Sequence, residues 1–299
     1  MAFSPNLIAD LQQIWYYQFM QNAYEAGTLV AIIGGVVGYF VVLRRSTFVA
    51  HAFSEIGFAG AAGAILLGIP AIAGMILGST VGGTGIALLS RRSSHRDVYI
   101  GIVLAFALGL GLLFINLYPG GYATEAISIL FGEILGVRRS DVLLTLVLSV
   151  LILFGVGIVY RPLLFSSLDE PVAEAKGLPT LFLGIVFLFL VALSVSISIQ
   201  VTGVLLIFSL MVTPAATAQH LASKPRNVII ISVAISLAAT WTGLFVAFYT
   251  PYPVSFFITA IVFGLYILVR VLHRKIKAPG EQRRGWKERM QTFVRDYSP

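Results

Sequence analysis

His51-Ala-Phe-Ser-Glu55-Ile-Gly-Phe-Ala-Gly-Ala-Ala-Gly-Ala-Ile-Leu-Leu-Gly68 decides how this chain is read. Apart from His51, Ser54 and Glu55, every residue in it is apolar or small. A stretch of this length and hydropathy reads as a membrane-spanning helix. Glu55 is the one acid in the interior of the apolar spans drawn below. A charge at that depth costs at least about 2.5–3.5 kcal/mol, so it needs a partner or a function. His51 precedes it by four residues, which puts both on one helical face. Imidazole and carboxylate on one face are ligands for a divalent transition metal.

Outward from this stretch, the composition says the same. Hydrophobic residues make up 58% of the chain and charged residues 11%, against about 25% charged in soluble domains. The expectation is an all-α integral membrane protein, a bundle of about eight or nine transmembrane helices. The apolar runs predict spans at 27–43, 49–68, 70–90, 98–117, 141–159, 179–198, 201–221, 227–249 and 254–272. Residues 1–26 are too polar to span and read as an interfacial helix. The transmembrane domain is 27–272, followed by a basic tail at 273–299. There is no cysteine, which excludes disulfides and thiolate ligands.

The net charge of +7 is less telling than its placement. Basic residues cluster at Arg44-Arg45, Arg91–Arg96, Arg138-Arg139, Lys224/Arg226 and the tail. Such clusters read as cytoplasmic loops near anionic lipid, not as a nucleic-acid surface. Alternation from Arg44 puts all but Arg138-Arg139 inside, with the C-terminus cytoplasmic. The exception follows the short stretch AISILFGEILGV, read as a non-spanning helix at 125–137 on the outer side. Glu133, its one acid beyond Glu125, is expected to pair with Arg138 or Arg139.

Small residues recur in spans two (Gly57, Gly60, Gly63) and three (Gly74, Gly78, Gly82), and let helix backbones approach closely. The loop SSLDEPVAEAKGLP predicts a short helix within 167–178. Ser167 or Asp169 caps it, Asp169 and Glu170 favour its positive end, Pro171 fits its first turn, and Gly177 ends it. The Gly-rich run GSTVGGTG at 78–85 lacks the Lys of a phosphate-binding loop, so ATP hydrolysis by this chain is not expected.

Four segments together resemble the permease subunits of the zinc/manganese class of ATP-binding-cassette (ABC) importers: VVLRRSTFVAHAFSEIGFAGAAGA at 41–64, ILFGEILGVRRSDVLL at 129–144, DEPVAEAKGLP at 169–179 and VTGVLLIFSLMVTPAATA at 201–218. The resemblance implies a type II permease like that of the vitamin B12 importer, in a prokaryotic plasma membrane. It implies a homodimer around a central pathway, and no permanently bound cofactor. It also implies a cytoplasmic ATPase docked on Asp169, Glu170, Glu174 and Gly177, and an extracytoplasmic binding protein that delivers the metal. His51 and Glu55 are the implied metal ligands. Ser54, Thr202, Thr213, Pro214, His220 and Glu133 are the implied pathway or gate positions. Many family members carry Asp and then His four residues on, so the ligand order here is reversed. A permease for a metal chelate and a secondary metal carrier are the alternatives.

Overall fold

The computed structural model describes residues 15–90, 96–118 and 132–277, and every regular element among them is helical. The helices are α1 (Gln18–Leu43), α2 (Thr47–Leu66), α3 (Ala71–Ser90), α4 (Arg96–Asn116), α5 (Arg139–Leu168), α6 (Glu170–Ala175), α7 (Thr180–Thr202), α8 (Val204–Leu221), α9 (Pro225–Tyr249) and α10 (Val254–Lys277). Seven are long and apolar enough to cross a membrane, and α3 and α8 carry the shorter apolar stretches Ala71–Ile86 and Leu206–Leu221. Each of the nine expected spans has its helix.

Several boundaries differ from expectation. α1 runs unbroken from Gln18, so residues 18–26 are the end of the first span rather than an interfacial helix; residues 1–14 lie outside the described residues. The polar groups that argued against a span are used up locally. Asn22 donates to the Val137 carbonyl (3.1 Å), Gln21 to the Trp15 carbonyl (2.7 Å), and Glu25 pairs with Arg139. α5 is 30 residues long and passes through Pro162 to Leu168. Of the short helix expected at 125–137, residues 125–131 lie outside the described residues. The remainder holds only a 3-10 turn, Ile134–Gly136. The 91–95 loop and the tail beyond 277 also fall outside.

The hairpin between α7 and α8 turns on Gly203, at φ +80°, a conformation that glycine adopts without a steric penalty. Gly132, at φ +75°, lies so close that a Cβ would collide with the Thr202 carbonyl. Side-chain contacts then sort the helix ends into two sets. Arg44 reaches Ser166 and Ser167, and His220 lies by His273. At the opposite end Asn22 reaches Val137, Arg139 reaches Glu25, Gln200 reaches Asp141 and Tyr118 reaches the Ile65 carbonyl. Successive spans therefore alternate in direction, and Arg44-Arg45, α6 and Lys224 share one end.

α2 sits inside this bundle, packed on α3 and α4 and touched by α7 and α8. Glycines set the α2–α3 crossing: Gly60 faces Gly74 and Gly78 with no room for a Cβ at Gly60 or Gly74. Ser79 of α3 donates to the Phe53 carbonyl (3.2 Å), and Ser196 of α7 reaches the Ser79 hydroxyl (3.3 Å). The helix that carries His51 and Glu55 is thereby held along its length.

Candidate metal pathway

His51 and Glu55 stand one turn apart near the start of α2. Glu55 is 8% exposed and His51 half-buried. Glu55 Oε2 and His51 Nδ1 are both buried without a hydrogen-bond partner. Among the described residues they are the one carboxylate and the one imidazole left so. Buried polar atoms are almost always paired, so two ligand-type atoms without partners on one face are a coherent anomaly. The His51 ring tilts against Phe208 of α8, with centroids 5.1 Å apart. Ser54, buried between His51 and Glu55 in sequence, turns its hydroxyl to the His51 carbonyl (2.6 Å); it braces the helix.

Phe208 begins the open side of α8. Ser209, Val212, Thr213, Ala216 and His220 are half-buried and Gln219 is exposed, while Leu210, Met211, Pro214, Ala215, Thr217 and Ala218 are buried. The open set recurs at intervals of three and four residues, a single helical stripe. Ser209, Thr213, Ala216 and His220 are its small and polar part, beside the apolar Phe208 and Val212. Sequence reasoning took Thr213 and His220 from it and missed Phe208, Ser209 and Ala216, though their spacing was readable.

Pro214 is on the other side. It has no N–H for the Leu210 carbonyl. Ser236 of α9 donates to that oxygen (3.5 Å), and Gly34 of α1 packs over it. The kink is satisfied inside the bundle. Thr202 is buried and donates to the Ser198 carbonyl (2.8 Å) beside the Gly203 turn. His220 lies 12 residues beyond Phe208, roughly 18 Å along α8, and its ring packs between Tyr266 and His273 of α10. It does not join His51 and Glu55. Among the described residues no three His, Cys, Asp or Glu side chains converge.

Glu133 is exposed beside the 3-10 turn. The expected pairing with Arg138 or Arg139 is not formed: Arg138 pairs with Asp141 (3.3 Å) and Arg139 with Glu25. Asp141 lies in the first turn of α5, where it also accepts from the Arg138 backbone, and Glu25 projects from the α1 extension that the sequence hid.

At the opposite end, α6 is shorter than the 167–178 expected, because Ser166 to Leu168 continue α5. Asp169 caps α6 by accepting from the Val172 backbone N–H (3.1 Å), and Pro171 lies in its first turn. Gly177 takes φ +79° with open space around it. Glu170 is exposed. Glu174 accepts from the Thr180 hydroxyl (2.6 Å), which ties α6 to the start of α7.

A polytopic bundle with an isolated His–Glu pair, a partly polar stripe and an exposed end helix has a counterpart among known proteins. The sequence profile of the ABC 3 transport family matches residues 16–273. The chain belongs to the ABC 3 transport family. This permease is similar to the manganese transport system membrane protein MntC of Listeria monocytogenes, 29% identical over 239 residues, which span 80% of the chain and 85% of that protein. It is also similar to the high-affinity zinc uptake system membrane protein ZnuB of Buchnera aphidicola, 28% identical over 240 residues, or 80% of the chain and 92% of that protein. Its fold superposes on PsaBC from Streptococcus pneumoniae in complex with Fab, with a TM-score of 0.80 and 27% identity over 88% of this chain and 95% of that one.

Proposed function

We propose that this permease forms the path by which an ABC importer moves a divalent transition-metal ion, zinc, manganese or ferrous iron, into a prokaryotic cell. The observation that carries the reading is the buried His51–Glu55 pair with its unpartnered Nδ1 and Oε2 atoms. An ionised carboxylate left alone there costs a few kcal/mol; a cation removes that penalty on arrival and restores it on departure. That suits a transient site better than a permanent one.

One chain supplies two ligands, and among the described residues no third His, Cys, Asp or Glu joins them. A homodimer with α2 and the open stripe of α8 facing its twin supplies two His51–Glu55 pairs. Four ligands of this type complete a zinc-like shell, and the stripe from Ser209 to His220 extends the path along α8. Phe208, tilted against His51, limits how its ring can turn. A cytoplasmic ATPase docks on α6, whose exposed Asp169 and Glu170 stand beside the helix that Glu174 ties to α7. An extracytoplasmic binding protein delivers the ion at the other end. The positive-inside rule puts Arg44-Arg45, α6 and the C-terminus in the cytoplasm.

The test is Glu55→Ala in the permease co-purified with its ATPase and reconstituted with the binding protein. Uptake of radiolabelled manganese and zinc falls by about tenfold or more, as loss of an essential ligand or its support demands. Membrane insertion and assembly with the ATPase are unchanged. Uptake at the wild-type rate ends the proposal.

A further inference from the structure

A cavity of about 480 Å³ opens at the end of the bundle that gathers Arg44, α6 and Lys224. Arg44 and Arg45, the hydroxyls of Ser166 and Ser167, Glu170 and Gly184 line it. Two guanidinium groups against one carboxylate leave a net positive wall. Arg44 is preset there: its Nη1 donates to Ser166 and Ser167 (both 3.3 Å) and its guanidinium lies over the Phe187 ring (5.2 Å). Arg45 is the one non-glycine among the described residues with positive φ, at 52°. It follows the C-cap of α1, where chains ordinarily place glycine. A long cation held in a glycine conformation marks a position where the side chain is wanted despite the strain.

The cavity lies beside an exposed apolar flank of α7. Gly184 and Leu188 share a helical face of α7 with Leu181 and Ile185, which are 50% and 52% exposed. Leu188 also lines a second groove, about 300 Å³ and almost wholly apolar, between α3 and α7. Thr80, Gly83, Ile185, Phe189 and Ala192 form that groove. A basic, hydroxyl-lined cavity thus adjoins an apolar trough through one shared leucine. This is the outline of an amphiphile with an anionic head.

We propose that the permease binds an anionic glycerophospholipid here, its phosphate on Arg44, Arg45, Ser166 and Ser167 and an acyl chain along the α3–α7 groove. The headgroup rests beside Glu170, the first residue of α6, so the lipid also braces the segment offered to the ATPase. The site involves neither His51 nor Glu55, so it stands or falls apart from the transport reading.

The experiment is native mass spectrometry of the full-length permease, delipidated in detergent and titrated with phosphatidylglycerol, phosphatidylcholine or inorganic phosphate. Arg45→Gly relieves the backbone strain while deleting the cation. Gly184→Leu fills the cavity from a helical position where a Cβ meets only an Arg44 nitrogen at 3.9 Å. The expected result is a first phosphatidylglycerol adduct at least about fivefold more populated than the phosphatidylcholine adduct, a preference that reflects headgroup charge at a basic rim. Both variants lose that preference while melting no lower than wild type. Equal adducts from the two lipids, an undiminished phosphatidylglycerol adduct in both variants, or displacement of the lipid by millimolar phosphate overturns the proposal.

Discussion

Gly60→Ala tests whether backbone contact between α2 and α3 holds the helix that carries His51 and Glu55. A Cβ at Gly60 collides with the Gly74 carbonyl and lies 3.2 Å from Gly78 Cα. Backbone cannot rotate aside, so α2 and α3 must separate by roughly 1 Å, and gaps of that size forfeit about a quarter to a half of the dispersion well. Overpacking of this kind costs about 1–3 kcal/mol. The Ser79–Phe53 hydrogen bond spans the same crossing, and such a bond contributes about 0.6 kcal/mol inside a membrane protein. The sum is a destabilisation of roughly 1.5–3.5 kcal/mol. Gly85→Ala is the control, since a Cβ there meets nothing within 4 Å. Equilibrium unfolding in mixed detergent and sodium dodecyl sulfate reads both. Metal uptake falls with Gly60→Ala as well, because α2 carries His51 and Glu55. A Gly60→Ala protein within about 0.5 kcal/mol of wild type, the range of a neutral surface change, refutes the claim that the crossing is a backbone contact.

Two further outcomes follow from the same geometry. Ser236→Ala strips the donor from the carbonyl that Pro214 leaves open, so the permease loses about 0.6 kcal/mol in the same unfolding assay, and Ser236→Thr restores part of it; a null effect means the 3.5 Å contact carries no energy. Thr180→Val removes the hydroxyl that holds Glu174 and loosens α6 from α7, so permease-stimulated ATP hydrolysis falls severalfold while insertion is preserved; unchanged stimulation means that this bond does not transmit the coupling.

How much of this was legible in the sequence depended on the range of the forces involved. The nine long helices were readable because a continuous apolar run leaves the backbone no alternative to a helix in lipid. Their ends were not, because a terminal polar residue is tolerable only if a distant group meets it. Asn22 and Glu25 looked like residues of an interfacial segment until Val137 and Arg139, more than a hundred positions away, were brought to them. α5 runs beyond the expected end at 159 because Pro162 is accommodated inside it. The His51–Glu55 pair was legible as an i, i+4 face. Its isolation from hydrogen-bond partners was not, because that depends on what α7 and α8 fail to offer. Glu133 was matched to the arginines nearest in sequence, and those arginines found other acids in space.

α2 reconciles two demands that pull against each other. A pathway needs polar groups without permanent partners, and each such group weakens the helix that bears it. One side of α2 answers the second demand: Gly60 lies on Gly74 and Gly78, and Ser79 holds the Phe53 carbonyl, so the helix is fixed against α3 by its own backbone. The other side is then at liberty to carry an imidazole and a carboxylate that nothing nearby satisfies. Because α3 supplies the rigidity, the ligand pair need contribute none, and its unmet bonding capacity stays available to a passing ion. On this reasoning a rigid scaffold and an unsatisfied site are coupled properties. Loosening the glycine crossing must blunt transport even though no glycine touches the metal, whereas exchanging Glu55 must blunt transport without loosening the crossing.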